Sequence, residues 1–376
     1  MSSERTTALN ENPQFVFYAI GALSALYGLG LWIVYYVYRD LGYPGAAHAS
    51  LQIAGFFLSF VFGALVQALR RGGAPPIGNV TLAALAGCYL AAIVAIPLSA
   101  LLAQALLLAV TVYVLVYILS ALAGSTDRHA IGWRYTTLGL CAALYALGLG
   151  ALIEAGAFGA HWLFWRHVSH SLLFVAAPAA LMLGVTKALS PGRSRGPVWL
   201  RLALLTLFCL LSFAEGRSLA GLQWTSDAAL HLIYLTRAVL FAALALLEFT
   251  PLSAPRGGTT VDWCHWLAWN FVTSGLILQG VWPEYRIAWE HWVFVGGYTW
   301  LLLLHVTQLL AGAELQLRRR SVIWTGVWLM AAMSTRVSTD IWSSLRLMHL
   351  GWASLFLFLA AWVWIRAALR ARRRVA

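Results

Sequence analysis

Neutral imidazole ligates iron, copper and zinc, and the ten histidines of this 376-residue chain are its best candidates for chemistry. His48, His161, His167, His170, His231, His291 and His349 stand just before or within the first turns of long apolar runs, while His129, His265 and His305 lie elsewhere. Imidazoles at one depth on different helices are what a metal ion or a haem iron needs, because ligands must converge from several directions between apolar and aromatic walls. His167 and His170 are three apart and share a helix face, which suits two ligands to one ion, or one ligand and its supporting partner. A lone histidine near a helix end is commonly an interfacial hydrogen-bonding residue, and that reading applies most to His161, His231 and His349. His48, His170 and His291 are set apart by their regular separation of 122 and 121 residues. The metal-ligand candidates are therefore His48, His167, His170 and His291. His305 lies about 14 residues beyond His291, roughly 21 Å along a helix axis, too far to share its centre.

Other chemistry is thinly represented. The chain has no phosphate-binding glycine loop, no GxSxG and no HExxH. The four cysteines, Cys88, Cys141, Cys209 and Cys264, are scattered singly, so no thiolate metal site or disulfide framework is expected. Arg237 is the clearest charge inside an apolar run, and intramembrane charges are costly. It is expected to pair with a carboxylate (Glu215 or Asp227) or with an anionic group of a bound cofactor. Glu154, Glu248 and Arg336 lie near run ends and are read as snorkelling or solvated.

The elements that must carry these residues follow from composition. The chain is 61% apolar and only 10% charged, with a mean hydropathy of +0.77, whereas a soluble domain carries about 25% charged residues. It cannot cover itself with a water-facing surface, which predicts an all-α, polytopic membrane bundle embedded in a lipid bilayer. The 19 Trp and 14 Tyr suit many membrane interfaces. A span needs about 20 apolar residues, and the runs give twelve: 15–38, 48–69, 79–98, 101–123, 133–154, 165–189, 198–216, 227–249, 261–282, 288–312, 322–338 and 343–368. The stretch 79–123 is too long for one span, and Pro97 with Ser99 marks the reversal.

Twelve spans place both termini on one side. Arg5, Arg70, Arg71, Arg128, Arg134, Lys187, Arg193, Arg195, Arg201, Arg256, Arg318 to Arg320, Arg366, Arg370 and Arg372 to Arg374 fall there. Only Arg39, Arg166, Arg217, Arg286, Arg336 and Arg346 fall opposite, an 18-to-6 split. The positive-inside rule then makes both termini cytoplasmic and puts the histidine-rich ends at the outer face of the membrane. The net charge of +12 thus belongs to one set of loops and excludes a nucleic-acid partner. The first run follows Glu4, Arg5 and Glu11 and reads as an uncleaved anchor. Residues 1–14 form a cytoplasmic segment, 15–368 one transmembrane domain, and 369–376 a basic tail.

A period of about 120 residues runs through the chain. ALYGLG at 25–30 recurs as ALYALG at 144–149, and the opening of span 3 at Gly78 recurs at Gly196 and again near Ser321. With the His48, His170 and His291 spacing, this predicts three four-helix pseudo-repeats at about 15–123, 133–249 and 261–368 around a pseudo-threefold axis.

The residues of two spans resemble the NnrS family of bacterial membrane proteins, which contain haem and copper and are linked to nitric oxide metabolism. The family's second helix opens with His-x-His-Glu, followed by Gly-Phe and Gly at fixed spacing. Here His48 is followed by Gly55-Phe56, Gly63, Leu65 and Ala68, while Ser50 stands for the second His, Leu51 for Glu and Gln67 for Thr. A second family stretch matches His291, Gly296, Thr307 and Gly312, with Gln308 for Arg and Ala313 for a second His. The resemblance implies a divergent member, with haem b or copper held through His48 and His291. Twelve helices with histidines on spans 2, 6 and 10 also resemble the catalytic subunit of haem-copper oxidases and nitric oxide reductases. Span 7 has no histidine and Val293 follows His291 by two, which argues against a complete dinuclear oxygen-reducing site.

The first expectation is a haem- or copper-binding inner-membrane protein of the nitric oxide (nitrosative stress) response or denitrification. His48, His170 and His291 would be ligands, His167 an auxiliary ligand and Arg237 a charge partner. Its chemistry would be metal-dependent redox chemistry, with a respiratory or denitrification partner. The alternatives are a transporter or channel for a small polar or anionic solute, and an assembly factor for a respiratory complex. Transport would call for helices broken at corresponding positions of the repeats, and only span 6, with Pro178, offers a break.

Overall fold

Apolar runs of this length satisfy their backbone polar groups internally only as helices, and the computed structural model is all-α. It describes residues 13–38, 43–123, 131–189, 194–221, 227–249, 255, 258–311, 319–341 and 346–372. Among these are twelve helices and no strand. They are α1 (Gln14–Val37), α2 (Gly45–Arg71), α3 (Asn79–Ala95), α4 (Ala100–Ala123), α5 (Ile131–Glu154) and α6 (Gly159–Leu189). They continue with α7 (Val198–Leu219), α8 (Asp227–Glu248), α9 (Thr260–Val281), α10 (283–311), α11 (Arg319–Ile341) and α12 (Arg346–Arg372). Every expected span is present. The reversal falls where Pro97 and Ser99 place it: α3 ends at Ala95, and the Ser99 hydroxyl accepts from the Leu102 amide at the start of α4. Nine of the described helices are long and apolar enough to cross a membrane. The chain is a multi-pass membrane protein.

Three helices differ from the rest. In α2, α6 and α10, 83%, 78% and 83% of the apolar stretch is buried, against 28–44% for the other six. Each also contains a π-helical stretch: Leu51–Phe57, Leu172–Ala176 and Trp292–Thr299. These begin 121 and 120 residues apart, so the sequence period recurs in the backbone. Pro178 follows the stretch in α6, but α2 and α10 widen without a proline, and the irregularity is not confined to span 6 as the sequence had indicated.

Contacts group the chain into two units, Met1–Gly28 with Gly45–Pro191 and Leu29–Pro44 with Gly192–Ala376. The second boundary falls inside 133–249, so this grouping does not coincide with the four-helix segments.

In the first unit, α2 is laid against α1 through glycine. A Cβ on Gly55 would lie 1.8 Å from Ser24 Oγ, and one on Gly63 would lie 2.5 Å from the Tyr18 ring. A π turn frees backbone carbonyls from the regular ladder, and buried carbonyls need donors. Ser24 donates to Leu51 O at 2.9 Å, and the buried Tyr89 hydroxyl of α3 donates to Ala54 O. α5 and α6 approach equally closely at Gly132 and Gly184, where an added Cβ would meet Ala188 N at 2.8 Å and Thr136 N at 2.7 Å respectively.

In the second unit, the π stretch of α10 is seated by paired glycines. A Cβ on Gly296 would reach Met333 Sδ of α11 at 2.3 Å, and one on Gly297 would reach Val272 Cγ2 of α9 at 2.4 Å. α12 is pinned to α10 by Trp364 Nε1 donating to Thr307 Oγ1 at 2.8 Å. Exposed Trp199, Trp263 and Trp324 sit at the starts of α7, α9 and α11, with Trp282 and Trp352 near the opposite ends. Two levels of amphipathic rings are what two membrane interfaces call for.

Candidate functional site

His48, His170 and His291 each lie within a few residues of the start of a π stretch. π turns concentrate at functional sites, because a widened turn re-aims the side chains around it. His48 Nδ1 is 2.8 Å from Gly28 O, and His291 Nδ1 is 2.8 Å from Ile287 O. A carbonyl only accepts, so Nδ1 carries a hydrogen in both rings. A metal-ligating histidine is commonly oriented by such an anchored second nitrogen. Both residues are half-buried. His170 is held differently, its ring stacked on Phe174 at 4.2 Å and 8°. His167 lies one turn earlier on α6 and is half-buried.

The expected convergence on one ion is not among the groupings found. Among the described residues, no set of three or more His, Cys, Asp or Glu side chains is arranged to hold a metal. Haem iron asks for fewer protein ligands, one or two imidazoles. Ser50 closes the first segment of α2, and Ala313 and Gly312 lie outside the described residues. The glycines behind the resemblance, Gly55, Gly63 and Gly296, each have a packing reason of their own.

Arg237 is 1% exposed, and its partner is the first of the two expected carboxylates. Nη1 donates to Glu215 Oε2 at 2.7 Å, while Tyr234 donates to Glu215 Oε1 at 2.9 Å. Arg286 of α10 stands 3.8 Å from Glu215 and 3.5 Å from Glu290, one turn along its own helix. The guanidinium of Arg237 also lies over the Phe208 and Tyr234 rings, at 5.7 and 5.9 Å. The Asp227 side chain lies outside the described residues. Two arginines and two carboxylates on three helices balance, so an anionic group approaching Arg237 would compete with Glu215. The sequence signal for the rest of this network was the i,i+4 pair Arg286 and Glu290 across the start of an apolar run.

Two readings of charge near helix ends are corrected. Glu248 is 3% exposed, accepting from Arg201 Nη1 at 2.8 Å and from Ser194 at 2.6 Å. A carboxylate withdrawn from water needs such partners, and its place at the end of a run concealed the cation at the start of α7. Arg336 pairs with Asp340 one turn on at 3.1 Å, with both side chains largely covered. Glu154 is exposed, as expected.

The remaining histidines divide. His349 Nδ1 is 3.0 Å from Ser338 Oγ, and His161 is exposed. His129 lies outside the described residues. His265 and His305, on α9 and α10, face each other with ring centres 4.7 Å apart. Nothing in their spacing of 40 residues along the chain signalled this. Neither the protein-family models nor the curated proteins compared with this chain give a match.

Proposed function

We propose that this chain is a haem- or copper-binding protein of a bacterial inner membrane, with both termini cytoplasmic, acting in the handling of nitric oxide or in denitrification. The observation that carries the reading is the recurrence of one device three times: a histidine one to three residues before a π stretch in a buried helix. Two of those rings are anchored at Nδ1 by a backbone carbonyl, which leaves Nε2 as the nitrogen that would ligate in this reading. His48 and His291 are each a candidate ligand in this reading, His170 a third candidate oriented by Phe174, and His167 its auxiliary. Arg237 belongs to the Glu215 network that fixes α7, α8 and the start of α10. A haem or copper centre would supply reversible binding of nitric oxide and one-electron chemistry. The protein's own residues orient the imidazoles, through the carbonyls of Gly28 and Ile287 and the Phe174 ring.

An absorption spectrum and metal analysis of the purified full chain test this. A Soret band or stoichiometric copper is expected, lost or shifted in His48→Ala and His291→Ala and perturbed when nitric oxide is added. Absence of both signals from folded wild-type protein overturns the reading.

A second reading, transport of a small polar or anionic solute, draws support from the matching irregularities in α2, α6 and α10, since corresponding breaks in repeats are a transporter's signature. Uptake of labelled anions into proteoliposomes, unaffected by loss of metal, would favour it.

A further inference from the structure

His48 and His291 are anchored in ways that differ in what they fix. The carbonyl that holds His48 belongs to Gly28 of α1, so that bond sets the ring against a neighbouring helix. The carbonyl that holds His291 belongs to Ile287, one turn earlier in the same helix. That bond fixes the ring relative to its own turn and leaves the rotation of the turn in the bundle open. The buried remainder of α10 does not settle the rotation either. Its π stretch, Trp292–Thr299, starts at the residue after His291 and bonds five residues on instead of four. The face presented before it is therefore not the continuation of the face beyond it. Ile287, on the His291 stripe, is 48% exposed, while Ala288 and Trp289 are buried. The ring stands at the edge of the bundle, where a modest turn of residues 286–291 decides whether it faces inward.

A tie to other helices has to supply that rotation, and Arg286 is placed to do so. Successive residues advance by about 100° around a helix, so Arg286 and Glu290 form the stripe next to Ile287 and His291. Arg286 Nη1 lies 3.8 Å from Glu215 Oε1 of α7 and 3.5 Å from the Tyr234 hydroxyl of α8, and its Nε is 3.5 Å from Glu290 Oε1. Each contact is longer than a charge-assisted hydrogen bond of about 2.7–2.9 Å. The guanidinium is nevertheless bracketed by two carboxylates, with its side chain only 23% exposed, and partly buried charges are weakly screened. Glu215 is a stiff post, because Arg237 and Tyr234 already engage its two oxygens at 2.7 and 2.9 Å. Trp289 Nε1 adds a bond to Trp282 O at 2.9 Å, which ties the same turn to the end of α9.

We infer that Arg286 is a positioning residue for His291, setting the rotation of the first turn of α10 through Glu215 and Tyr234. The inference rests on the proposed role of His291 as a ligand, but it concerns the direction of the imidazole and not what binds to it. Removing Arg286 leaves Glu215 both of its close partners, so the pairing around Arg237 survives the substitution.

Carbethoxylation of the histidines of the full chain in detergent, followed residue by residue by mass spectrometry, tests the inference on wild type, Arg286→Gln and Arg286→Lys. Arg286→Gln should raise the rate at His291 about fivefold, which corresponds to about 1 kcal/mol of lost restraint. The rate at His48, anchored from α1, should stay unchanged. Arg286→Lys keeps a cation between the two carboxylates and should restore the wild-type rate at His291. If Arg286→Gln fails to fold, Arg286→Met combined with Glu290→Leu removes both charges of the turn and should give the same rise. An unchanged rate at His291, an equal rise at His48, or no recovery with lysine overturns the inference and leaves the haem or copper reading standing. A wild type without haem or copper overturns that reading, and the modification rates still decide this one.

Discussion

Replacing Glu215 by Leu strands a guanidinium in the bundle interior, and the size of the penalty follows from the geometry. Arg237 and Glu215 are 2.7 Å apart, with side chains 1% and 3% exposed, so neither can turn to water. With charge centres about 4 Å apart and an effective dielectric near 20, their attraction is about 4 kcal/mol. Breaking a buried pair by removing one partner costs about 3–5 kcal/mol, whereas replacing both by apolar residues of similar volume is often nearly neutral. Glu215→Leu also takes the acceptor from Tyr234, worth about 1 kcal/mol. Each of Glu215→Leu and Arg237→Met should therefore destabilise by about 3–5 kcal/mol, and the double variant by only about 1–2 kcal/mol. The measurement is reversible unfolding in mixed micelles titrated with denaturing detergent, followed by helical circular dichroism. A double variant as unstable as the sum of the two singles would refute the reasoning, because the network would then be two independent packing sites.

Three smaller tests probe the π-helical helices and the second ion pair. Gly296→Ala meets the flexible thioether of Met333 and should cost under about 1 kcal/mol, while Gly297→Ala meets Val272 and the backbone around it and should cost about 1–3 kcal/mol. Equal costs in the same unfolding assay would mean that the two contacts do not differ in stiffness. Tyr89→Phe removes the donor to the Ala54 carbonyl in the π stretch of α2. It should cost about 1–3 kcal/mol and speed hydrogen exchange of the amides around 55–59, and unchanged exchange would show that the carbonyl is satisfied otherwise. Arg201→Leu takes the cation from buried Glu248, to which Ser194 still donates, and should cost about 3 kcal/mol or more, detected by thermal unfolding. A loss near zero would show that Glu248 reaches water.

What was legible in the chain was whatever depends on composition and local pattern. Apolar runs of span length bounded by charge or Gly/Pro dictate helices, because unpaired amides are intolerable in hydrocarbon, and the Pro97–Ser99 reversal was visible in this way, as was a partner for Arg237, with Glu215 one of the candidates. So was the period that sets His48, His170 and His291 apart. The widening of α2, α6 and α10 was not legible. A π turn is settled by what neighbouring helices donate to the freed carbonyls, and Ser24 and Tyr89 are 27 and 35 residues away from the groups they satisfy. Glu248 read as a solvated end until packing placed Arg201 beside it. His265 and His305 read as two isolated residues until α9 and α10 packed side by side. Which carbonyl anchors the His48 ring depends on the distance between helices, and no one-dimensional pattern records that.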